Sequence, residues 1–104
     1  MLRSFSYAAY AGLMVHATSR RAEFDRIEPW AHIWQTTAAS AFLRAYFATA
    51  KGAVFVPGAD SQRDALLHFF VLDKALYELE YELNNRPEWV RIPLRGIFDL
   101  LHAA

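Results

Sequence analysis

The sequence predicts an all-α protein of about four helices forming a single domain over residues 1–104. Three observations carry this. Apolar residues recur every three or four positions through most of the chain. Glycines and prolines fall between those periodic segments, Gly12 excepted. Ala and Leu are frequent, and clusters of β-branched residues are few. A chain of 104 residues with 55% hydrophobic residues is suited to one core and is not a disordered tail.

The first helix is expected over residues 2–17, where Leu2, Phe5, Ala9 and Leu13 keep helical spacing. Gly12 with Ala8, Ala9 and Ala11 offers a surface that another helix can approach closely. The stretch Thr18-Ser19-Arg20-Arg21 either extends this helix or forms a loop. Pro29 suits a first helical turn, where its missing N–H costs nothing. The second helix is therefore expected to start there, run through Trp30, Trp34, Ala38, Ala41 and Ala45, and stop at Gly52. Residues 53–56 read as extended, and Pro57-Gly58 as a turn. Ser61 is the expected N-cap of the third helix, residues 61–84, with Asp64 three positions on. Phe69, Leu72, Leu76, Leu79 and Leu83 alternate three- and four-residue steps, making a leucine face for a core. Phe70, Lys74, Tyr77 and Tyr81 share the opposite side, flanked by Asp73, Glu78, Asn84 and Asn85. Arg86-Pro87 ends the helix, since a residue before proline avoids the helical region. After a turn at 88–91, Pro93 opens a last helix to about His102, with Leu94, Ile97, Phe98 and Leu101 inward.

Eleven basic residues balance eleven acidic ones, which argues against nucleic acid as a partner. There is no cysteine, hence no disulfide framework, no Cys-ligated zinc and no thiol nucleophile. Met1 to Phe5 show no basic region followed by an apolar run, and no apolar stretch is long enough for a membrane span. The expectations are a cytoplasmic protein and no membrane partner. So apolar a chain of this length leaves apolar surface uncovered, so a partner surface is expected: a homo-oligomer, or another part of a longer protein.

No complete catalytic set is legible: there is no phosphate loop, nucleophile elbow or HExxH motif. His16, His32, His68 and His102 are too scattered for a local metal site, so neither catalytic nor metal-ligating residues are assigned. Trp30 and Trp34 read as core anchors. Lys74, Tyr77, Glu78 and Tyr81 are the side-chain types that bind sugars, rings packing on pyranose faces and polar groups fixing hydroxyls. The same pattern fits a solvated or interface-facing stripe. Arg86 is placed to pair with Glu82 or Glu78 and hold the turn at Asn85-Arg86-Pro87-Glu88-Trp89.

The run Leu76-Tyr77-Glu78-Leu79-Glu80-Tyr81-Glu82-Leu83-Asn84-Asn85-Arg86-Pro87-Glu88-Trp89-Val90-Arg91-Ile92-Pro93-Leu94 resembles the end of bacterial maltokinases. In particular it looks like the kinase part fused behind trehalose synthase (maltose α-D-glucosyltransferase). Met1-Leu2-Arg3-Ser4-Phe5-Ser6-Tyr7-Ala8-Ala9 resembles a second segment of that family, and the stretch from Trp30 to Tyr46 resembles the region between. The resemblance implies the C-terminal helical part of the C-lobe of an aminoglycoside-phosphotransferase-like kinase. That family phosphorylates maltose to maltose 1-phosphate in trehalose, maltose and α-glucan metabolism. It uses ATP and Mg²⁺, on segments that precede the part matching Met1. The resemblance therefore implies no cofactor bound by these residues, and a truncated reading frame or proteolytic remainder that is not competent alone.

The resemblance also implies a site. The aromatic face becomes an acceptor wall for maltose or a related α-glucoside, with Lys74, Tyr77, Glu78 and Tyr81 as contacts and Asn85 and Trp89 beside them. The remainder of the kinase or of the trehalose synthase would be the protein partner. The competing expectation is a stand-alone helical interaction module or homodimer with no sugar role. A small metal-dependent helical enzyme is disfavoured by the lack of a ligand cluster at helical spacing.

Overall fold

The computed structural model describes residues 1–16 and 21–102, and every regular element among them is helical. The helices are α1 (Leu2–His16), α2 (Arg21–Thr49), α3 (Asp60–Asn85) and α4 (Arg91–His102), with a 3₁₀ turn at Pro87–Trp89. The all-α, four-helix expectation holds. The expectations for Ala17 and for residues 18–20 lie outside the described residues. The chain divides into two compact units, Met1–Phe42 and Leu43–Ala104.

In the first unit, α1 and the start of α2 form an antiparallel pair. Phe5 sets its ring edge-on against Phe42 and Trp34, at 5.9 and 6.4 Å between centroids. The Tyr10 hydroxyl donates to Glu28 Oε1 at 3.5 Å, and His16 Nε2 lies 3.4 Å from Glu23 Oε1. Partners fall along α2 as positions rise along α1, which fixes the direction. Tyr10, Leu13 and Phe24 are buried here, together with Arg3 and Ser6. The Arg3 guanidinium does not go unpaired: Nη1 donates to Ser6 Oγ at 2.9 Å. Gly12 is exposed, and a Cβ there would meet nothing within 4 Å, so the expected close helix approach does not occur at it.

Two expectations for α2 are corrected. The helix begins eight residues before Pro29, which sits inside it. An interior proline removes the hydrogen bond to the carbonyl four residues back, at about 3 kcal/mol. On the preceding turns Glu23 and Glu28 contact His16 and Tyr10 of α1 and Phe24 is buried, so the helix is anchored on the N-terminal side of the proline. The second correction concerns the tryptophans. Trp30 and Trp34 are exposed. The covered side of α2 instead runs through Phe24, Ile27, Ala31, Gln35, Ala38 and Phe42, all buried or half-buried.

In the second unit, α2 ends at the expected place. Gly52 takes φ +82, and the Ala53 N–H donates to the Ala50 carbonyl. Residues 53–56 are not extended: the Val56 N–H donates to the Ala53 carbonyl at 3.1 Å and closes a turn. Val54 and Phe55 stand exposed on it. The N-cap of α3 is Ala59, in extended conformation, and Ser61 lies inside the helix. Ala59 caps without a side-chain bond; its carbonyl accepts from the Arg63 N–H. Arg63 also covers Phe47 of α2, its guanidinium carbon 4.3 Å from the ring centroid.

The leucine face of α3 is also corrected. The residues buried in α3 are Ala75, Glu78 and Glu82. The helix packs on α4 and the 3₁₀ turn, and small Ala75, fully buried, permits a close approach there. Leu76 follows Ala75 by about 100° around the axis, so the leucine stripe flanks the buried face. Leu72 and Leu79 are half-buried, while Phe69, Leu76 and Leu83 are exposed. In α4 the buried residues are Ile92 and Pro93. Ile97 is half-buried as expected on the inward side, but Leu94, Phe98 and Leu101 are exposed. The helix starts two residues before Pro93, which stands in its first turn.

Replacing Pro29 by Ala restores a backbone donor inside α2. Pro29→Ala is expected to stabilise the protein by about 1–2 kcal/mol, the helix gain being partly offset by greater freedom of the unfolded chain. Urea unfolding followed by circular dichroism measures it, and a lower midpoint would contradict the placement of Pro29 within a continuous helix.

Candidate functional site

The last two turns of α3 and the 3₁₀ turn gather most of the candidate residues. The organiser is Arg86. Its Nε donates to Glu82 Oε1 at 2.9 Å and its Nη2 to Glu82 Oε2 at 3.2 Å, a two-pronged ion pair one helical turn long. Glu82 is fully buried, and the Arg86 side chain is partly exposed. Arg86 is also where the helix stops: its φ and ψ are −141° and 74°, and its N–H still donates to the Glu82 carbonyl. Pro87 follows and cannot continue the ladder. The guanidinium so fixed lies 4.2 Å from the Trp89 ring centroid and 5.6 Å from that of Tyr81. Two aromatic rings are thereby collected around one cation.

Upstream, Lys74 Nζ sits 4.8 Å from the Tyr77 ring centroid. Lys74, Tyr77 and Tyr81 are all exposed. Glu78 is not among them at the surface, being 8% exposed. The Asn85 Nδ2 donates to the Tyr81 carbonyl at 2.8 Å, and the Asn84 Nδ2 to the Glu80 carbonyl at 2.9 Å. Both amides turn back onto the carbonyl four residues earlier, as a second donor to an oxygen already in the helical ladder. Trp89 is half-buried.

Of the six residues expected from the sequence, Lys74 and Tyr77 form one exposed cation–ring pair. Tyr81 and Trp89 form a second group held by Arg86, and the Asn85 amide bonds the Tyr81 carbonyl. Glu78 lies in the buried part of α3. The expected ion pair of Arg86 goes to Glu82. Its stacking on Trp89 and Tyr81 was not anticipated; the signal was present as aromatic residues three after and five before an arginine at a helix stop. His16 lies beside Glu23, His68 is exposed on α3, and the His102 ring stacks on Phe98 at 4.1 Å. Among the described residues, no group of three His, Cys, Asp or Glu is placed to hold a metal ion. Nor, among them, is any helix long and apolar enough to cross a membrane.

No protein-family model matches the chain, and no solved structure matches it.

Arg86→Ala leaves a buried carboxylate without its bidentate donor and frees Trp89. A loss of about 2–3 kcal/mol is expected, the partial exposure of Arg86 keeping it below the full cost of breaking a buried pair. Arg86→Lys keeps the charge but not the fork and is expected to recover less than half of it. Denaturant titration with tryptophan fluorescence reads both stability and the environment of Trp89.

Proposed function

We propose that these residues are the C-terminal helical part of a kinase-like C-lobe, of the maltokinase type, and that α3 and the 3₁₀ turn contribute a wall for an α-glucoside acceptor such as maltose. The observation that carries the reading is the exposed run of Lys74, Tyr77 and Tyr81 continuing into the Arg86–Trp89 stack. It offers ring faces for pyranose C–H groups and cationic donors for hydroxyls, and all of it except Lys74 falls within the segment, residues 76–94, whose sequence resembles that family. Asn85 lies at its edge, and Glu78 supports it from the buried side of the helix. Phosphoryl transfer is assigned to ATP- and Mg²⁺-binding segments of the parent family, and the compartment to the cytoplasm.

A second reading is favoured by one further observation. Leu76, Leu83, Leu94, Phe98 and Leu101 are all exposed, as suits a helical module that works by docking an apolar face.

Calorimetric titration with maltose, against trehalose and glucose, tests the first reading. Saturable maltose binding weakened about tenfold or more by Tyr81→Ala and by Trp89→Ala is the expected result. The reading is lost if the chain, folded by circular dichroism, binds no maltose, and the matching Tyr81→Ala and Glu78→Ala changes leave the Michaelis constant of an intact maltokinase unaltered.

A further inference from the structure

The stripe on α3 that does not face α4 has an order of its own. Phe69, Leu72, Leu76, Leu79 and Leu83 alternate steps of three and four without interruption. This is the seam of a heptad repeat, with Phe69, Leu76 and Leu83 at a and Leu72 and Leu79 at d. Every a residue is exposed, at 59%, 50% and 58%, and both d residues are half-buried. A heptad seam is complementary to another helix carrying the same repeat, since each apolar knob needs a hole of four side chains spaced as on its own helix. A flat or globular partner has no such spacing.

We propose that this seam pairs two copies of the chain, α3 against α3, in parallel orientation. The flanking residues favour both the partner and the direction. The e positions are Asp73 and Glu80, and the g positions are His68, Ala75 and Glu82. Ala75 and Glu82 are fully buried, while His68, Asp73 and Glu80 are exposed. In a parallel pair each g residue meets the e residue five positions on in the other copy. His68 then offers a ring N–H to Asp73 of the second copy, twice by symmetry, while Ala75 and Glu82, already buried within their own copy, bring no charge to the rim. An antiparallel pair centred on Leu76 sets Asp73 against Glu80 of the second copy, carboxylate on carboxylate. The chain's net charge is zero, so two copies meet without overall repulsion.

Lys74, Tyr77 and Tyr81 lie on the other side of α3 from the seam, about 150° round the axis. Dimerisation is therefore independent of the sugar reading, and it supplies the docking reading with its occupant. A seam of two heptads is short, so association in the micromolar range is expected.

Sedimentation equilibrium of the full chain from about 1 to 500 µM tests this. A monomer–dimer equilibrium is expected, weakened on the order of a hundredfold by Leu76→Glu with Leu83→Glu, which places charge in the seam. Circular dichroism of the same variant reports whether the helices persist. The chain lacks cysteine, so Phe69→Cys introduces a unique thiol. In the parallel pair this position opposes itself and oxidation yields a disulfide-linked dimer; exposed Val54→Cys serves as the collision control. A strictly monomeric wild type overturns the proposal. So does a dimer undiminished in a folded double-Glu variant. Cross-linking of Phe69→Cys only with Leu83→Cys, and not with itself, overturns the orientation.

Discussion

The ion pair between Glu82 and Arg86 fixes how α3 ends and how the chain turns toward α4. A carboxylate with no exposure at all cannot be tolerated in a helix that packs on a neighbour unless its oxygens are taken up. Arg86 takes up both, and can do so only because it lies four residues on, where a helical turn brings it alongside. The same residue then leaves the helical region ahead of Pro87. One side chain thus neutralises the buried acid, marks the end of α3 and holds Trp89 at the opening of the turn into α4. The close packing around Ala75 and the burial of Ile92 and Pro93 follow from where that turn sends the chain.

Much of this was legible beforehand. Four helices, the stop at Gly52, the break around Pro57-Gly58 and the end of α3 before Pro87 all follow from glycine and proline chemistry, which acts locally. The Arg86 ion pair follows from helical spacing. The failures share a different cause. Pro29 is placed by its local preference, whereas the helix is anchored upstream of it by Glu23 and Glu28 against α1 and by buried Phe24. The leucines of α3 and the tryptophans of α2 were assigned inward because they are the largest apolar residues on their helices. Which face is buried depends instead on how closely two backbones approach, and small Ala75 and Ala31 sit on the covered sides. The stripe pattern reports that a helix has an apolar face, but not which neighbour will cover it.

The candidate sugar surface was legible as a set of residue types and less so as an arrangement. Lys74, Tyr77 and Tyr81 do stand exposed together, because residues 74, 77 and 81 fall within about 60° of one another on any helix. Trp89 lies beyond the helix, and its place beside Tyr81 is set by Arg86 at the helix stop. Glu78, chosen for its carboxylate, falls about 40° from Lys74 and 60° from Tyr81 toward the packed side and is buried. A difference of that size around the axis separates a side chain that meets a ligand from one that supports the wall.

Helix α3 thus carries three faces with three different requirements. One packs on α4 through small and paired polar residues. One is aromatic and cationic, with satisfied amides at its end, and has the chemistry of a surface for hydroxyl-rich ligands. The third is a leucine seam left half in water. Exposed leucine costs solvation free energy in proportion to its area, and an uninterrupted three–four alternation of such residues is costly to keep in an isolated helix. A helix partner removes that cost most completely when its own repeat matches. Since the acidic e positions and His68 at g favour a parallel copy over an antiparallel one, the charges at the rim choose a direction for a seam whose leucines alone would accept either.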